Sequence, residues 1–219
     1  MAGTVAAGLA VDPWDDAIVS GRVVILNGVP RSGKSSIAQA LIATEPGWVN
    51  HGVDASMAAT PEPLLPGVGL RPGGERPDLE PEVERLYRAL WDRVATLADA
   101  GGDVVVDVGL HSDFAADLDP WAIAADALRS CDVLVVGVRA PLDAVLERRA
   151  AATGYLTAAE TGPVPDAIRR WEAAVHDPGH YDMEVDTTVS SPAECAALIL
   201  RRLARGPRDR ALTNRHHSE

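Results

Sequence analysis

The sequence predicts one α/β domain in which helices cover both faces of a five-stranded parallel sheet. Short β-branched runs without polar alternation, typical of strands that are buried on both faces, alternate with segments of helical periodicity. Strands and helices that alternate in this way form parallel sheets. The chain has 219 residues, 47% of them hydrophobic and 24% charged, which is enough for one folded core and requires no second domain.

Each predicted element has a local signal. The predicted strands are the apolar runs at 22–27, 48–53, 103–108, 132–138 and 181–187. The predicted helices, in which apolar residues recur every three or four positions, are 32–43, 81–100, 141–152, 166–175 and 192–204. Glycine and proline end two of them, at Pro46-Gly47 and at Gly101-Gly102.

Two irregular stretches interrupt this alternation. Residues 60–81 are so rich in proline and glycine that no regular element is expected there. Residues 153–165 combine Gly, Thr and Pro, and we interpret them as a small lid. The domain is predicted to span 22–205, with a loose leader before it and a flexible tail at 206–219.

The composition excludes several classes of partner. A formal net charge of -12 and a pI near 4.9 argue against nucleic acid, because phosphate backbones select basic surfaces. No apolar stretch is long enough for a membrane span, and no signal peptide is recognised, so a cytoplasmic location is expected. Cys131 and Cys195 are isolated and are interpreted as reduced thiols. The sequence is compatible with a homo-oligomer.

The strongest motif is the segment GVPRSGKS from Gly28 to Ser35, which satisfies the pattern GxxxxGK[ST] between a predicted strand and a predicted helix. Its glycines let the backbone curl, so that N–H groups and a helix N-terminus face one anion, typically a polyphosphate. We therefore predict ATP and Mg²⁺ as cofactors, with Lys34 as a catalytic residue on the β- and γ-phosphates and Ser35 as a Mg²⁺ ligand. The predicted nucleotide contacts in this phosphate-binding loop are Gly28, Pro30, Arg31, Ser32, Gly33, Lys34, Ser35 and Ser36.

Two aspartates lie at the ends of predicted strands, where parallel sheets bind their ligands. Asp107 ends the third strand and is predicted to hold Mg²⁺ together with Ser35. Asp54 ends the second strand and, if that strand lies near the first, can orient a hydroxyl acceptor and take its proton. For both residues the alternative is an aspartate that caps a turn.

Several short segments of the chain, called islands below, together resemble a known protein family. Ile25–Gly28, Ser32–Ser35, Gly52–Asp54, Val136–Arg139 and Glu184–Thr188 occur in this order. Together they resemble the chloramphenicol phosphotransferase family, from about residue 22 to about residue 203. The resemblance implies the three-layer P-loop kinase fold and an enzyme that phosphorylates a hydroxyl of an antibiotic with ATP and Mg²⁺, which confers resistance.

The resemblance also assigns roles. It implies that Asp54 is the catalytic base and that Arg139 lies near the nucleotide. The chain departs from the family at the lid, because residues 152–156 contain no arginine that could approach the phosphates. Arg149, chosen from the nearby arginines 148, 149, 169 and 170, is therefore predicted as a further nucleotide contact. Residues 57–80 also differ from the family's acceptor region, and His176 is expected to pack or to hydrogen-bond rather than to react.

Other functions share part of this sequence pattern. A metabolic small-molecule kinase of the shikimate, gluconate or nucleoside type shares the loop and the strand-end aspartate but not the islands. A nucleotide-dependent switch protein is the alternative from another class, but the chain lacks an NKxD motif. A protein kinase is excluded because no HRDxxxxN arrangement occurs.

Overall fold

The computed structural model describes residues 20–53, 77–151, 166–177, 180–205 and 211–212. Within these ranges, five parallel strands form one sheet in the order β2-β3-β1-β4-β5. Their bounds are β1 Arg22–Asn27, β2 Val49–Asn50, β3 Val104–Val108, β4 Asp132–Arg139 and β5 Met183–Asp186. The predicted five-stranded parallel sheet is therefore confirmed.

Helices connect these strands. They are α1 Lys34–Thr44, α2 Glu80–Asp99, α3 Pro120–Ala127, α4 Leu142–Ala151, α5 Asp166–Val175 and α6 Pro192–Leu203. The sequence analysis missed α3, although the chain carries a start signal for it. The Asp119 side chain accepts hydrogen bonds from the backbone N–H groups of Trp121 and Ala122, and Pro120 occupies the first turn.

The sheet separates two hydrophobic cores, because alternate residues of each strand point to opposite faces. Val23 and Ile25 belong to the core that α2 and α3 cover, whereas Val24 and Leu26 belong to the core that α1 and α6 cover. All four are fully buried, and burial of such a side chain contributes about 1.5–3 kcal/mol. This arrangement gives the three layers of the predicted fold.

The second strand is shorter than predicted. Only Val49 and Asn50 are in strand conformation, and they pair with β3, which separates them from β1. The Asn50 side chain accepts a hydrogen bond from the Gly52 N–H at 3.1 Å, which turns the backbone directly after the strand. The second strand therefore lies one strand away from the phosphate-binding loop.

Parts of the predicted domain plan fall outside the described residues, namely the leader up to residue 19 and the lid at 153–165. The predicted flexible tail differs from the structure at two residues. Ala211 and Leu212 are buried in the core under α2 and α3, and the Ala211 N–H donates to Asp182 Oδ1 at 3.1 Å. In the described part of the chain, no helix combines the length and the apolar character that a bilayer crossing requires.

Candidate active site

The phosphate-binding loop occupies residues 28–33, between the end of β1 and the start of α1. Arg31 and Gly33 have positive φ angles of 72° and 103°. Because a left-handed backbone is unfavourable for residues with a Cβ atom, Arg31 marks a strained point of the kind that collects at functional loops. The loop is closed by a hydrogen bond from the Ser32 N–H to the Val29 carbonyl at 3.1 Å.

Neighbouring atoms leave no room for a side chain at position 28. A Cβ atom on Gly28 would lie 2.5 Å from the Val138 carbonyl oxygen and 2.8 Å from Ser32 Oγ. The first contact involves backbone that cannot move aside without shifting β4. Glycine is therefore required at position 28 by the packing of the loop against β4 as well as by its backbone curl.

Lys34 lies folded back over the loop. Its Nζ donates to the Gly28 carbonyl at 2.8 Å and to the Val29 carbonyl at 2.9 Å. An ammonium group has three N–H donors, so contact with both the β- and γ-phosphates requires Lys34 to give up at least one of these carbonyls. Lys34 is thus held against the phosphate-binding loop, close enough for its flexible side chain to turn toward a bound anion.

The predicted Mg²⁺ ligands are in direct contact. Ser35 Oγ, at the start of α1, donates to Asp107 Oδ2 on β3 at 2.7 Å. A hydroxyl and a carboxylate at this distance form the oxygen donor set that Mg²⁺ binds beside phosphates. No group of three or more metal-binding side chains occurs among the described residues, so phosphate oxygens and water would complete the coordination.

Gly52 packs against the same carboxylate. A Cβ atom at position 52 would collide with Asp107 Oδ1. The start of the Gly52–Asp54 segment therefore lies beside the predicted metal ligands, even though β2 is not the neighbour of β1. Asp54 itself, the predicted base, lies outside the described residues.

Arg148 on α4 is the lid-side arginine that contacts the loop. It donates to the Arg31 carbonyl at 3.2 Å, to Thr187 Oγ1 at 2.9 Å and to the Thr187 carbonyl at 3.0 Å. The Thr187 hydroxyl in turn donates to the Ser32 carbonyl at 2.7 Å. The island Glu184–Thr188 therefore braces the loop, a role that the sequence analysis did not identify.

The other predicted nucleotide contacts are spread around this loop. Arg149 is buried on the opposite side of α4 from solvent, whereas Ser36 is exposed on the first turn of α1. Arg139, at the end of β4, donates to Glu184 Oε1 through Nε at 3.0 Å and Nη2 at 2.6 Å. Pro30 and Arg31 form the outer part of the loop, and Ser32 is fully buried beneath it.

Asn27 is a second residue whose role the sequence analysis missed. Its buried side chain donates to the Val175 carbonyl at 2.9 Å and to Tyr181 Oη at 3.2 Å, and it accepts from the Leu110 N–H at 2.7 Å. These bonds tie the end of β1 to α5, to the segment before β5 and to the loop after β3. A polar residue that ends the apolar run of β1 was the available signal.

His176 extends this network. Its Nδ1 lies 2.8 Å from Tyr181 Oη, and the Tyr181 hydroxyl also lies 3.1 Å from the Val175 carbonyl. Burial, with further contributions from the positive charges of Arg139 and Lys34, lowers the pKa of His176 to about 4. The ring is therefore neutral near pH 7 and holds the end of α5 by hydrogen bonding.

Several solved structures share this fold. An APS kinase from Mycobacterium tuberculosis in complex with AMPPNP and APS is 20% identical over 84% of this chain and 98% of that chain, with a TM-score of 0.56. A tunicamycin resistance protein from Deinococcus radiodurans is 18% identical over 84% and 95%, with a TM-score of 0.53. A shikimate kinase from Acinetobacter baumannii in complex with shikimate is 12% identical over 84% and 93%, with a TM-score of 0.55. The P-loop kinase fold is thus confirmed.

The family comparison covers most of the chain. No functionally curated protein matches it significantly. The family model described as chloramphenicol phosphotransferase-like protein matches residues 21–204. That range contains the phosphate-binding loop, both predicted metal ligands and the islands from which the resemblance was inferred. The chain therefore belongs to the chloramphenicol phosphotransferase-like family, and this membership together with the fold confirms the predicted enzyme class, an ATP-dependent small-molecule kinase.

Proposed function

We propose that the protein is a cytoplasmic O-phosphotransferase that moves the γ-phosphoryl group of ATP to a hydroxyl of an antibiotic, such as chloramphenicol or a related natural product. The added charge and bulk inactivate the drug, and the activity confers resistance. The observation that carries the proposal is the contact of Gly52 with Asp107. It brings the start of the island that holds the predicted base against the predicted metal ligands.

The donor set of the loop fits a nucleotide with bound Mg²⁺. Lys34 offers an ammonium group at the mouth of the loop, and Ser35 and Asp107 offer the two oxygens of a cation site. Ser35 and Asp107 would hold Mg²⁺, whose positive charge would partly neutralise the phosphates of the nucleotide. Lys34 adds a second positive charge, which stabilises the charge that spreads over the phosphoryl oxygens during transfer.

We assign the proton transfer to Asp54. The acceptor oxygen forms a bond to the γ-phosphorus, while the bond between this phosphorus and the bridging oxygen breaks and ADP departs with that oxygen. The hydroxyl proton passes to the Asp54 carboxylate. A carboxylate in this role raises the rate because it orients the hydroxyl and accepts its proton as the new bond forms.

Arg148 is the cation that we propose in place of the missing lid arginines. Its guanidinium is bonded to the backbone of Arg31 and Thr187, so it borders the phosphate-binding loop before any ligand arrives. Arg139 and Arg149 remain proposed nucleotide contacts. Arg139 would have to exchange Glu184 for the nucleotide, because both its Nε and its Nη2 donate to that carboxylate.

A metabolic small-molecule kinase is the second candidate. The observation that favours it is the similar structural likeness to an APS kinase and a shikimate kinase, at TM-scores of 0.56 and 0.55, and to a tunicamycin resistance protein, at 0.53. Fold similarity at this level does not select an acceptor.

The decisive experiment is an acceptor screen. The full chain is incubated with ATP and Mg²⁺ and with chloramphenicol, other hydroxylated antibiotics, shikimate, gluconate and nucleosides, and the phosphorylated product is detected by mass spectrometry. A product at one antibiotic hydroxyl supports the proposed function. A product from a metabolite alone would replace the resistance activity with the second candidate.

Substitution of the proposed base tests the mechanism. Asp54→Asn is expected to retain nucleotide binding but to lose about 100-fold or more in kcat, because no carboxylate accepts the proton. Lys34→Ala is expected to weaken both nucleotide binding and transfer. Asp92→Asn, at an exposed position on α2, is the control and should behave like the parent protein. Transfer by Asp54→Asn at nearly the parent rate would show that Asp54 is not the base.

A further inference from the structure

Helix α5 is fixed to the ligand edge of the sheet. The Val175 carbonyl, at its end, accepts the hydrogen bond from Asn27, and the Val175 side chain packs in a small apolar cluster with Val29 of the phosphate-binding loop. Trp171, one turn earlier on the same face of α5, packs against this cluster. The Trp171 side chain therefore borders the phosphate-binding loop itself.

The indole nitrogen of Trp171 has an unmet hydrogen bond. Nε1 is covered from solvent and has no partner, although the ring as a whole is only partly buried. A buried N–H without a partner costs free energy, so proteins seldom keep one unless a ligand or another group can pair with it. Trp91 on α2 carries a similar unpartnered indole N–H, but its ring lies fully inside the core beneath the sheet.

The surroundings of the Trp171 nitrogen distinguish it from Trp91. A Cβ atom on Gly109, in the loop after β3, would lie 3.8 Å from Trp171 Nε1 and 3.3 Å from the Gly28 carbonyl oxygen. Lys34 is bonded to that same carbonyl at 2.8 Å. Because position 109 has no side chain, nothing at this position separates the indole N–H from the loop that binds the phosphates.

Gly109 follows Asp107 by two residues, on the β3 side of β1, which is also the side on which Gly52 contacts Asp107. The Arg148 and Thr187 contacts lie on the other side, toward β4 and β5. Trp171 Nε1 thus lies beside the loop after β3, whereas its ring packs against the cluster that also contains Ala140 and Val145.

We propose that Trp171 is an acceptor-binding residue: its indole N–H donates a hydrogen bond to an oxygen of the alcohol that is phosphorylated, and its partly exposed ring contacts an apolar part of the same molecule. This inference rests on the proposed function, whose acceptor class it narrows. Nε1 is covered from solvent in this structure, so the acceptor oxygen reaches it after a local shift, to which the missing side chain at Gly109 offers no obstacle.

The atoms nearest to the Trp171 nitrogen at this position are uncharged. A Cβ atom on Gly109 would lie nearest to atoms of Gly28, Trp171 and Val175, and none of these three residues carries a charge. The cation of the exposed residue Arg170 is paired with Asp113 at 2.9 Å. The part of the acceptor that meets Trp171 is therefore uncharged: an oxygen that accepts from the indole N–H, beside a flat apolar group.

Kinetics of two paired variants test the contact. Trp171→Phe keeps an aromatic ring but removes the N–H, and we expect the KM for chloramphenicol to rise about three- to tenfold while the KM for ATP stays unchanged. Gly109→Ala, which places a methyl group before the indole, should raise the same KM without altering Trp171. The control is Trp91→Phe, which removes an unpartnered indole N–H inside the core and should leave both KM values at the parent level.

A second readout does not depend on turnover. The chain has five tryptophans, so a ¹⁵N-labelled sample gives five indole cross-peaks, and Trp171→Phe identifies one of them. In the presence of AMPPNP and Mg²⁺, addition of chloramphenicol is expected to shift the Trp171 peak but not the Trp91 peak. Shikimate, tested in the same way, is expected to shift neither.

The outcomes separate this inference from the proposed function. A shifted Trp171 peak without a phosphorylated product keeps the acceptor contact and contradicts the proposed reaction on that alcohol. The contact is contradicted if chloramphenicol is phosphorylated while the Trp171 peak does not move and Trp171→Phe has the KM of the parent protein. The proposed reaction is supported by that result. If neutral alcohols give neither a product nor a shift while an anionic acceptor is phosphorylated, both are wrong.

Discussion

The two sides of the phosphate-binding loop are built differently. On the side of β4 and β5, Thr187 and Arg148 bond to backbone carbonyls of the loop at distances between 2.7 and 3.2 Å. On the side of β3 and β2, Gly52 packs directly against the Asp107 carboxylate, Gly109 carries no side chain, and the Trp171 N–H has no partner. The side of β4 and β5, the proposed nucleotide side, is thus braced by hydrogen bonds, whereas the side of β3 and β2, the proposed acceptor side, keeps an unmet hydrogen-bond donor.

This difference matches what each side must recognise. A triphosphate is the same in every cycle, so a loop that is held by backbone bonds loses little entropy when the nucleotide binds. An acceptor is selected by side chains, and an unmet donor near the reaction centre discriminates strongly because a ligand without the matching oxygen leaves it unpaired. Asn27 joins the two sides, since it bonds to Tyr181, before β5, and to the loop after β3.

The largest effect is expected from separating the two sides at Asn27. Asn27→Ala leaves the Leu110 N–H without its buried partner and removes one of the two hydrogen bonds to the Val175 carbonyl, so we expect a loss of about 3 kcal/mol in the free energy of unfolding. Urea denaturation measures it. Asn50→Ala, at an exposed position that accepts one bond from Gly52, is the control and should cost less than about 1 kcal/mol. Equal losses of unfolding free energy in the two variants would show that Asn27 does not connect the two sides.

An intermediate effect is expected from loosening the nucleotide side alone. Thr187→Val keeps the shape of the side chain but removes the hydrogen bond to the Ser32 carbonyl and one of the three acceptors of Arg148. We expect about five- to tenfold weaker binding of AMPPNP with Mg²⁺, measured by calorimetry, and an unchanged KM for the acceptor. Thr188→Val, which loses only bonds to Asp186, should bind AMPPNP like the parent protein. A larger effect on the acceptor than on the nucleotide would contradict the division into two sides.

The smallest effect concerns pH at the junction. The pKa of His176 is about 4 in the folded protein because of burial and the nearby charges of Arg139 and Lys34, against about 6.5 in the unfolded chain. A base with a lowered pKa stabilises the fold fully above pH 6.5, and this contribution is lost as the pH falls toward 4. Burial of Glu172 raises its pKa and acts in the opposite sense, favouring the fold at low pH.

A comparison of the parent protein with His176→Gln isolates this contribution. The difference in the free energy of unfolding between the two proteins is expected to change between pH 7 and pH 4.5, with the parent losing more stability on acidification. Thermal unfolding in both buffers measures it. Unfolding free energies that run parallel over this range would show that His176 does not titrate below its ordinary pKa in the folded state.

Much of this architecture could be predicted from local patterns. The apolar runs of β1, β3 and β4 and the loop Gly28–Ser35 are recognisable because each carries its signal within a few residues. The second strand could not be bounded, because its end depends on a turn made by Asn50 and on pairing with β3, far away in the chain. The α3 helix was overlooked because its signal is a cap and a proline rather than a long periodic stretch.

The site divides in the same way. Lys34, Ser35 and Asp107 follow from the motif and the strand, since the chemistry of phosphate and Mg²⁺ restricts the residue types and the spacing. The roles of Asn27, Thr187, Arg148 and Trp171 depend on contacts between segments that are distant in sequence, up to 155 residues between Thr187 and Ser32. No local pattern encodes such a contact, because the partners meet only when the sheet order brings the ends of β1, β3, β4 and β5 to one edge. Helices, strands and motifs are therefore determined by neighbouring residues. The hydrogen bonds that brace the loop and the unpaired Trp171 N–H beside it arise only in the assembled fold.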